Sequence, residues 1–406
     1  MASSSSSSCC ESSCEALSVA LSSVALNSKS AFGKTATAAG GAASPDPSSS
    51  AHRDPKPHFP QFLSPTSPSN DHNSHHPTNP LNGSSSNTTS LIWFRNDLRI
   101  HDNEALFRAN TDSAFLIPIY CFDPRDFGKS ASMGVDKTGP YRALFLIECV
   151  ANLRENLRQR GSDLVLRIGK PEEEVVGMAK GAGASSVYAH QEVSHEEFEM
   201  EKTVQESLGK LGVEAKFVWG STLFHRDDLP FQLEDMPSSY CTFRTKLRNV
   251  QVRPVLEAPK ELKSLPSLST LDVGALPTLQ DLGLPSLPDG QEDGDAAKEP
   301  TIHGGETEAL RIIISIDALL MNSKDKEVHH DVGTSFGINP AWNVSPWLAT
   351  GCLSPRRMLH ELTEKYSRAG MRVFDEGFEH HVLDCLLVEL LWRDFFRFVT
   401  RKYVSQ

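Results

Sequence analysis

The chain has no apolar run both long enough and free enough of charge to span a bilayer, which takes about 20 residues. The nearest approach, 382–399, carries Asp384, Glu389, Arg393, Asp394 and Arg397, so no membrane is implied as a partner. An excess of positive charge is also missing: 40 Lys and Arg stand against 52 Asp and Glu, a formal net charge of −12. That excludes a nucleic-acid footprint spread over the whole surface and leaves room only for a local basic patch. Eight cysteines, at 9, 10, 14, 121, 149, 241, 352 and 385, form no Cys-x-x-Cys pair with a matching second pair, which argues against a zinc site. Their scatter suits reduced thiols. His329–His330 and His380–His381 are adjacent pairs whose side chains diverge on a helix, so we read them as surface residues. Within 90–225 there is neither a G-x-G-x-x-G nor a phosphate-loop pattern. Tryptophan is scarce: five residues, none beyond Trp392.

What is present falls into four stretches. Residues 1–89 are rich in Ser, Ala, Pro, Asn, Thr and His without periodicity, which predicts disorder. The first part, 1–37, is Ser/Ala-rich and poor in acids, with a few lysines and no secretory apolar block. This pattern predicts an organellar transit peptide, and its low Arg content favours the chloroplast; a tail with no address is the alternative. From 90 to 225 apolar strand-like runs (SLIWFRND, FLIPIYCF, DLVLRIG, SSVYAH, EAKFVWG) alternate with helical patterns starting near Asp102 and over 137–160, 171–181 and 195–211. Such alternation implies βαβ units and a mainly parallel sheet, an α/β fold. Residues 226–300 are an interdomain linker whose Pro-rich part bars helix, and its spaced leucines place it on a domain surface. From 301 to 406 strand signals vanish, and helices are predicted over 306–320, 346–348, 355–366 and 381–403.

Local chemistry follows from these elements. Arg95, Asp97 and Arg99 lie just past a strand's carboxyl end, where open α/β sheets place ligands. Asp102 is placed to cap the next helix and Asp97 to pair with a neighbouring arginine; ordering the loop without touching a ligand is the alternative. Ser345 and Ser354 read as helix N-caps, with Pro346 and Pro355 at first helical positions. Glu389, Arg393 and Arg397 are spaced four apart and share a helix face, with Trp392 beside them. A salt-bridge ladder would account for that spacing.

In chain order, WFRNDLRIHDNEAL, YCFDP, GGETEAL, SPWLATGCLSPR and ELLWRDFFRFV resemble the photolyase/cryptochrome family, and within it the short plant photolyase-like blue-light photoreceptors. The resemblance implies a parallel-sheet, Rossmann-like N-terminal photolyase domain followed by a truncated all-α flavin-binding domain, since much of the family's flavin pocket lies beyond the point matching Gln406. It implies FAD as cofactor, with Ser345, Pro346, Trp347, Glu389 and Arg393 around it. It also implies a folate (methenyltetrahydrofolate) antenna held through Glu192 in VYAHQEVSHEE, where a solvated loop acid is the alternative. The family's hydroxyl and basic side chains before Ser345 are replaced here by Ala341, Trp342 and Asn343, with Thr334 and Ser335 out of register, so weak flavin binding is expected. Glu389 and Trp392 match residues that face a damaged pyrimidine pair in photolyases. The expected function is therefore a flavin-based blue-light photoreceptor with little repair activity and an unidentified protein partner. The alternatives are a light-driven photolyase acting on cyclobutane dimers in damaged DNA, and a light-independent interaction protein.

Overall fold

A computed structural model of the chain describes residues 88–129, 134, 137–267, 271–287, 302–321, 344–368 and 381–404. Its centre is a five-stranded, all-parallel sheet in the order β3-β2-β1-β4-β5, with β1 at Thr89–Phe94, β2 at Phe115–Phe122, β3 at Val165–Ile168, β4 at Ser186–His190 and β5 at Glu214–Val218. The strands are nearly continuous apolar runs because both faces of a parallel sheet are covered. Ile92 and Phe94 pack on one face and Leu91 and Trp93 on the other, all buried.

The connecting helices are α1 (Glu104–Asp112), α2 (Pro140–Arg158), α3 (Pro171–Ala182) and α4 (His195–Lys210). Their ends are written locally. α3 begins on Pro171, carries three glutamates in its first turn and ends at Gly183, whose φ is +59°, matching the helix dipole and the left-handed cap. α4 starts with a full capping box between Ser194 and Glu197. α3 and α4 cover one face through Val175, Ala179, Val204 and Leu208. α1, α2 and the later helices cover the other.

Between sheet and helices the chain forms α5 (Tyr240–Lys246) and then an extended strap. Ser264 O accepts from Leu116 N at 3.2 Å, and Val273 O accepts from Leu166 N at 2.9 Å on the free side of edge strand β3. Gly274, φ +70°, lies so close that a Cβ there would meet Leu166 O at 2.4 Å. The strap thus closes an edge that would otherwise be open to another chain.

The helical part contains α6 (Glu306–Met321), α7 (Ser345–Ala349), α8 (Pro355–Arg368) and α9 (His381–Val404). Leu386, Leu387, Leu390, Leu391, Phe395 and Phe398 of α9 are buried. Phe398 stacks on Trp219 at 5.5 Å, and Phe395 meets Phe243 of α5 at 5.4 Å. Among the described residues no helix is long and apolar enough to cross a membrane.

Candidate functional site

The strand order reverses at β1, and the crevice beyond the ends of β1 and β4 is where doubly wound sheets bind ligands. Here it is filled by the protein's own charges. Asp97 does not pair with an arginine: its Oδ2 lies 2.7 Å from His190 Nδ1, and its Oδ1 accepts from Arg95 N at 2.7 Å. Burial is the largest influence and works against the Asp97 carboxylate, but the His190 hydrogen bond and charge, the Arg95 N–H and the Arg99 charge together outweigh it and hold the group below its usual range. Arg95 pairs with Glu201 instead. Arg99, 1 % exposed, donates to three carbonyls: Gly351 O at 2.9 Å, and Asp102 O and Gly220 O at 3.1 Å.

Two expected caps are corrected. Asn103, not Asp102, caps α1, accepting from Leu106 N at 2.9 Å. Asp102 instead sits at φ +48°, fully buried, and accepts from Leu256 N, Ser354 Oγ and Arg356. Ser345 is already the first residue of α7, with Val344 as its cap and no side-chain cap bond. Ser354 does hold its position, accepting from Arg357 N at 3.3 Å. Across the same seam Glu306 accepts from Ile100 N, His101 N and Asn156 Nδ2 and pairs with His101 Nδ1. The motifs around residues 93–106, 304–310 and 345–356 therefore interlock, each satisfying buried polar groups of another.

Glu192 is not a loop acid in solvent. It is 2 % exposed, and its Oε2 accepts from Arg397 Nη2 at 2.7 Å; its own N–H donates to Glu201 Oε1 at 2.7 Å. A pterin amino group would have to compete with Arg397 for that carboxylate, so its geometry departs from an open antenna ligand. The alternative reading of α9 as a salt-bridge ladder does not hold either. Arg397 reaches Glu192, while Arg393 donates to Ser221 O at 2.5 Å and Leu348 O at 3.2 Å. Between them in sequence, Asp394 is fully buried and accepts from Leu223 N at 3.0 Å and Phe224 N at 2.9 Å. Burial pushes its carboxyl up to about 6. Composition gave no reason to single out Asp394, yet an acid flanked by Trp392, Phe395 and Phe396 on an apolar helix was the available signal.

A cavity of about 230 Å³ opens between α7, α8 and α9, lined by Ser345, Leu348, Met358, Leu386, Glu389 and Arg393, among others. Burial raises the Glu389 carboxyl and pulls the Arg393 guanidinium down to about 9. Among the described residues Arg393 has no carboxylate within ion-pair distance; both of its bonds go to backbone carbonyls. Pro346 and Trp347 do not line the cavity. Trp347 is 2 % exposed, donates to His303 O at 3.1 Å and meets Phe145 edge-on at 5.6 Å, so it packs toward α2. Trp392 is half-buried against Tyr240 (4.3 Å, 68°) and Phe396 (5.1 Å, 66°). Residues 341–343, 334 and 335 lie outside the described residues.

The DNA photolyase family model matches residues 90–262. Over 321 residues the chain is 48 % identical to blue-light photoreceptor PHR2 of Arabidopsis thaliana, covering 78 % of this chain and 70 % of that protein. It is 36 % identical to the chloroplastic/mitochondrial cryptochrome DASH of the same plant, covering 77 % of this chain but 52 % of the relative. Among solved structures a Synechocystis cryptochrome superposes with a TM-score of 0.64 at 36 % identity, covering 78 % of this chain and 62 % of that one. On identity, coverage and a shared parallel-sheet fold, the chain belongs to the photolyase/cryptochrome family.

Proposed function

We propose that this chain is a flavin-based blue-light photoreceptor that has little or no capacity to repair DNA. One observation carries the reading. Arg393 is a desolvated cation on the wall of a cavity, and among the described residues its hydrogen bonds go to neutral carbonyls, with Asp394 and Glu192 acting on its charge from outside ion-pair distance. Burying a charge without a directly paired counter-charge is costly, and an anionic ligand in the cavity would relieve that cost. Leu348, Met358, Leu386 and Leu390 give the same cavity an apolar floor, which fits a flat ring system beside a negative group. Its volume is below the roughly 300–1,000 Å³ of pockets that enclose a whole drug-sized ligand, so these residues fit part of a flavin dinucleotide.

A flavin held there would supply blue-light absorption and electron exchange. The chain's own contribution is to bind and orient. Arg393 holds the negative edge, and Glu389 offers a carboxyl whose proton affinity burial raises above its ordinary value. α9 links the cavity wall to the sheet unit through Asp394 and Arg397. A change of charge in the cavity would thus act on a helix already tied to residues 192 and 221–224. The similarity to plant cryptochrome DASH proteins described as chloroplastic/mitochondrial, and the Ser-rich leader, support a chloroplast location.

Repair is disfavoured by the surroundings of Trp392. Tyr240 covers that ring and is itself fixed by a hydrogen bond to Val388 O at 3.4 Å, so a base would have to displace it. The photolyase alternative keeps one support, since Glu389 and Trp392 stand a helix turn apart on α9. The test is the absorption spectrum of the purified full chain after incubation with FAD. Wild type should retain the paired near-ultraviolet and blue flavin bands, and Arg393→Leu should lose them while keeping its circular dichroism. A folded wild type that retains no flavin would leave the interaction-protein reading standing. Dimer loss under blue light, abolished by Glu389→Ala and Trp392→Ala, would establish the photolyase instead.

A further inference from the structure

Two arginines far apart in sequence bridge the same pair of backbone segments. Arg393 of α9 donates to Ser221 O at 2.5 Å and to Leu348 O at 3.2 Å. Arg99, in the loop after β1, donates to Gly220 O at 3.1 Å and to Gly351 O at 2.9 Å, in each case close in sequence to an Arg393 acceptor. The loop at 220–224 and the turn at 348–351 are therefore stapled twice. Arg393 does so from the cavity wall, whereas Arg99 is 1 % exposed and does not line the cavity. The third Arg99 bond, to Asp102 O at 3.1 Å, ties in the remaining wall. The Asp102 carboxylate accepts from Ser354 Oγ and pairs with Arg356 at the start of α8, and α8 supplies Met358 to the cavity. The turn has no slack to move toward β1: Leu98 N donates to Thr350 O at 3.2 Å, and a Cβ on Gly351 would stand 1.9 Å from Asn96 O. Burial pulls the Arg99 guanidinium below its ordinary range, so a charge is kept here against its solvation. Filling the space would need only an apolar side chain.

We propose that Arg99 is a positioning residue for the ligand site: from behind the cavity wall it sets the separation of Ser221 O and Leu348 O, and so aims the Arg393 head at the negative group of a ligand. The role rests on the reading of the cavity as a site for a ring system beside an anion. Arg393 spans two carbonyls that belong to separate segments. If those segments part, its guanidinium keeps one acceptor and turns away from the cavity. Arginine suits position 99 because its planar head carries donors in a fixed fork, directed here at three carbonyls on three segments. A lysine ammonium offers its donors from one atom and cannot span that spread. The apolar floor of Leu348, Met358 and Leu386 accepts a neutral ring without help from Arg393. Arg99 therefore governs how strongly the site favours a charged ligand over a neutral one.

The experiment compares the full wild-type chain with Arg99→Lys by fluorescence titration with two probes: FAD, and lumiflavin, which has the ring system without the phosphates. The FAD dissociation constant should rise about tenfold, the order of one lost charge-assisted hydrogen bond, while that of lumiflavin changes by less than about twofold. Equal weakening of both probes, or unchanged FAD affinity, in a folded variant overturns the role, since a cavity merely out of shape does not discriminate by charge. A second arm needs no ligand: phenylglyoxal labelling of arginines, read by mass spectrometry. Arg393 should label several-fold faster in Arg99→Lys, while Arg397, one turn along α9 and held by Glu192, keeps its rate. A rise at both arginines, or at neither, also overturns the role. A wild type that fails to bind FAD removes the cavity reading, and the labelling ratio then decides the Arg99 role alone. Should Arg99→Lys not fold, Arg99→Gln, with no charge to bury, takes its place in both arms. Failure of both variants to fold makes Arg99 a residue of the fold alone and overturns the proposal.

Discussion

Arg397 and Glu192 close the gap between the long helix and the sheet with a 2.7 Å ion pair in which the carboxylate is 2 % exposed and the guanidinium 18 %. Removing one partner of a buried pair leaves an uncompensated charge, which costs about 3–5 kcal/mol when burial is complete. Arg397→Met should therefore destabilise by about 2–3 kcal/mol, the remaining exposure softening the loss. Glu192→Gln with Arg397→Met should lose less than the sum of the singles. Urea unfolding of the four proteins in a double-mutant cycle checks it, and additive losses would mean that the pair is not coupled.

Gly351 and Gly177 should respond to alanine in opposite directions. Gly351 has φ +69°, and a Cβ there would lie 1.9 Å from Asn96 O, in the seam that also receives Arg99. Gly351→Ala should cost at least about 2–4 kcal/mol. Gly177 is exposed in the middle of α3 with open space around its missing Cβ, so Gly177→Ala should gain about 0.5–1 kcal/mol. Thermal melts of both variants read the two signs together.

Asp394 gives the folded state a defined pH dependence. Its carboxyl is pushed up to about 6 by burial, against 3.8 for the unreacted side chain. The folded protein thus keeps a proton there when the unfolded chain has released it. This group's contribution to stability is fully present below about pH 4 and is lost as pH rises through about 6, a change on the order of 2–3 kcal/mol. Comparing wild type with Asp394→Asn by urea unfolding at pH 4 and 7 isolates it. The difference between variant and wild type should shift with pH by that order, and a pH-independent difference would refute it.

Flavin occupancy should rise when hydroxyls are restored ahead of Ser345. Ala341→Thr with Trp342→Ser supplies hydroxyl donors in place of a methyl group and a bulky indole with a single N–H. A higher flavin-to-protein absorbance ratio after reconstitution is expected. An unchanged ratio would place the limit elsewhere in the pocket.

Local signals in the sequence located the helices and strands well, because hydrophobic period, proline at first turns and glycine at ends act within a few residues. The run at 171–183 shows this best: Pro171, three glutamates and Gly183 each mark α3 where it lies. Partners distant in sequence were another matter. Glu192 meets Arg397 only because β4 and α9 converge, and no spacing rule connects positions 205 apart. Arg99 was illegible for a further reason: its partners are backbone carbonyls, which any residue provides. At Asp102 and Asn103 two good capping residues stood side by side, and tertiary demand for a buried acceptor at Asp102 left the cap to its neighbour. The helix Tyr240–Lys246 went unassigned, its seven residues being too short for periodicity to register.

The strap that runs beside β2 and β3 also sets an order of events. Ser264 accepts from β2 and Val273 from β3, each from an amide that the finished sheet presents outward, so the strap can complete its pairing once those strands stand side by side. Until then β3 offers an unpaired row of polar backbone beside apolar Ile168, which is 48 % exposed even in the native chain. Parallel pairing between distant segments forms slowly, so the interval is long enough to matter. A nascent chain released before residue 274 emerges would be a sheet with a sticky margin, and its fate would turn on whether the strap or another molecule arrives first.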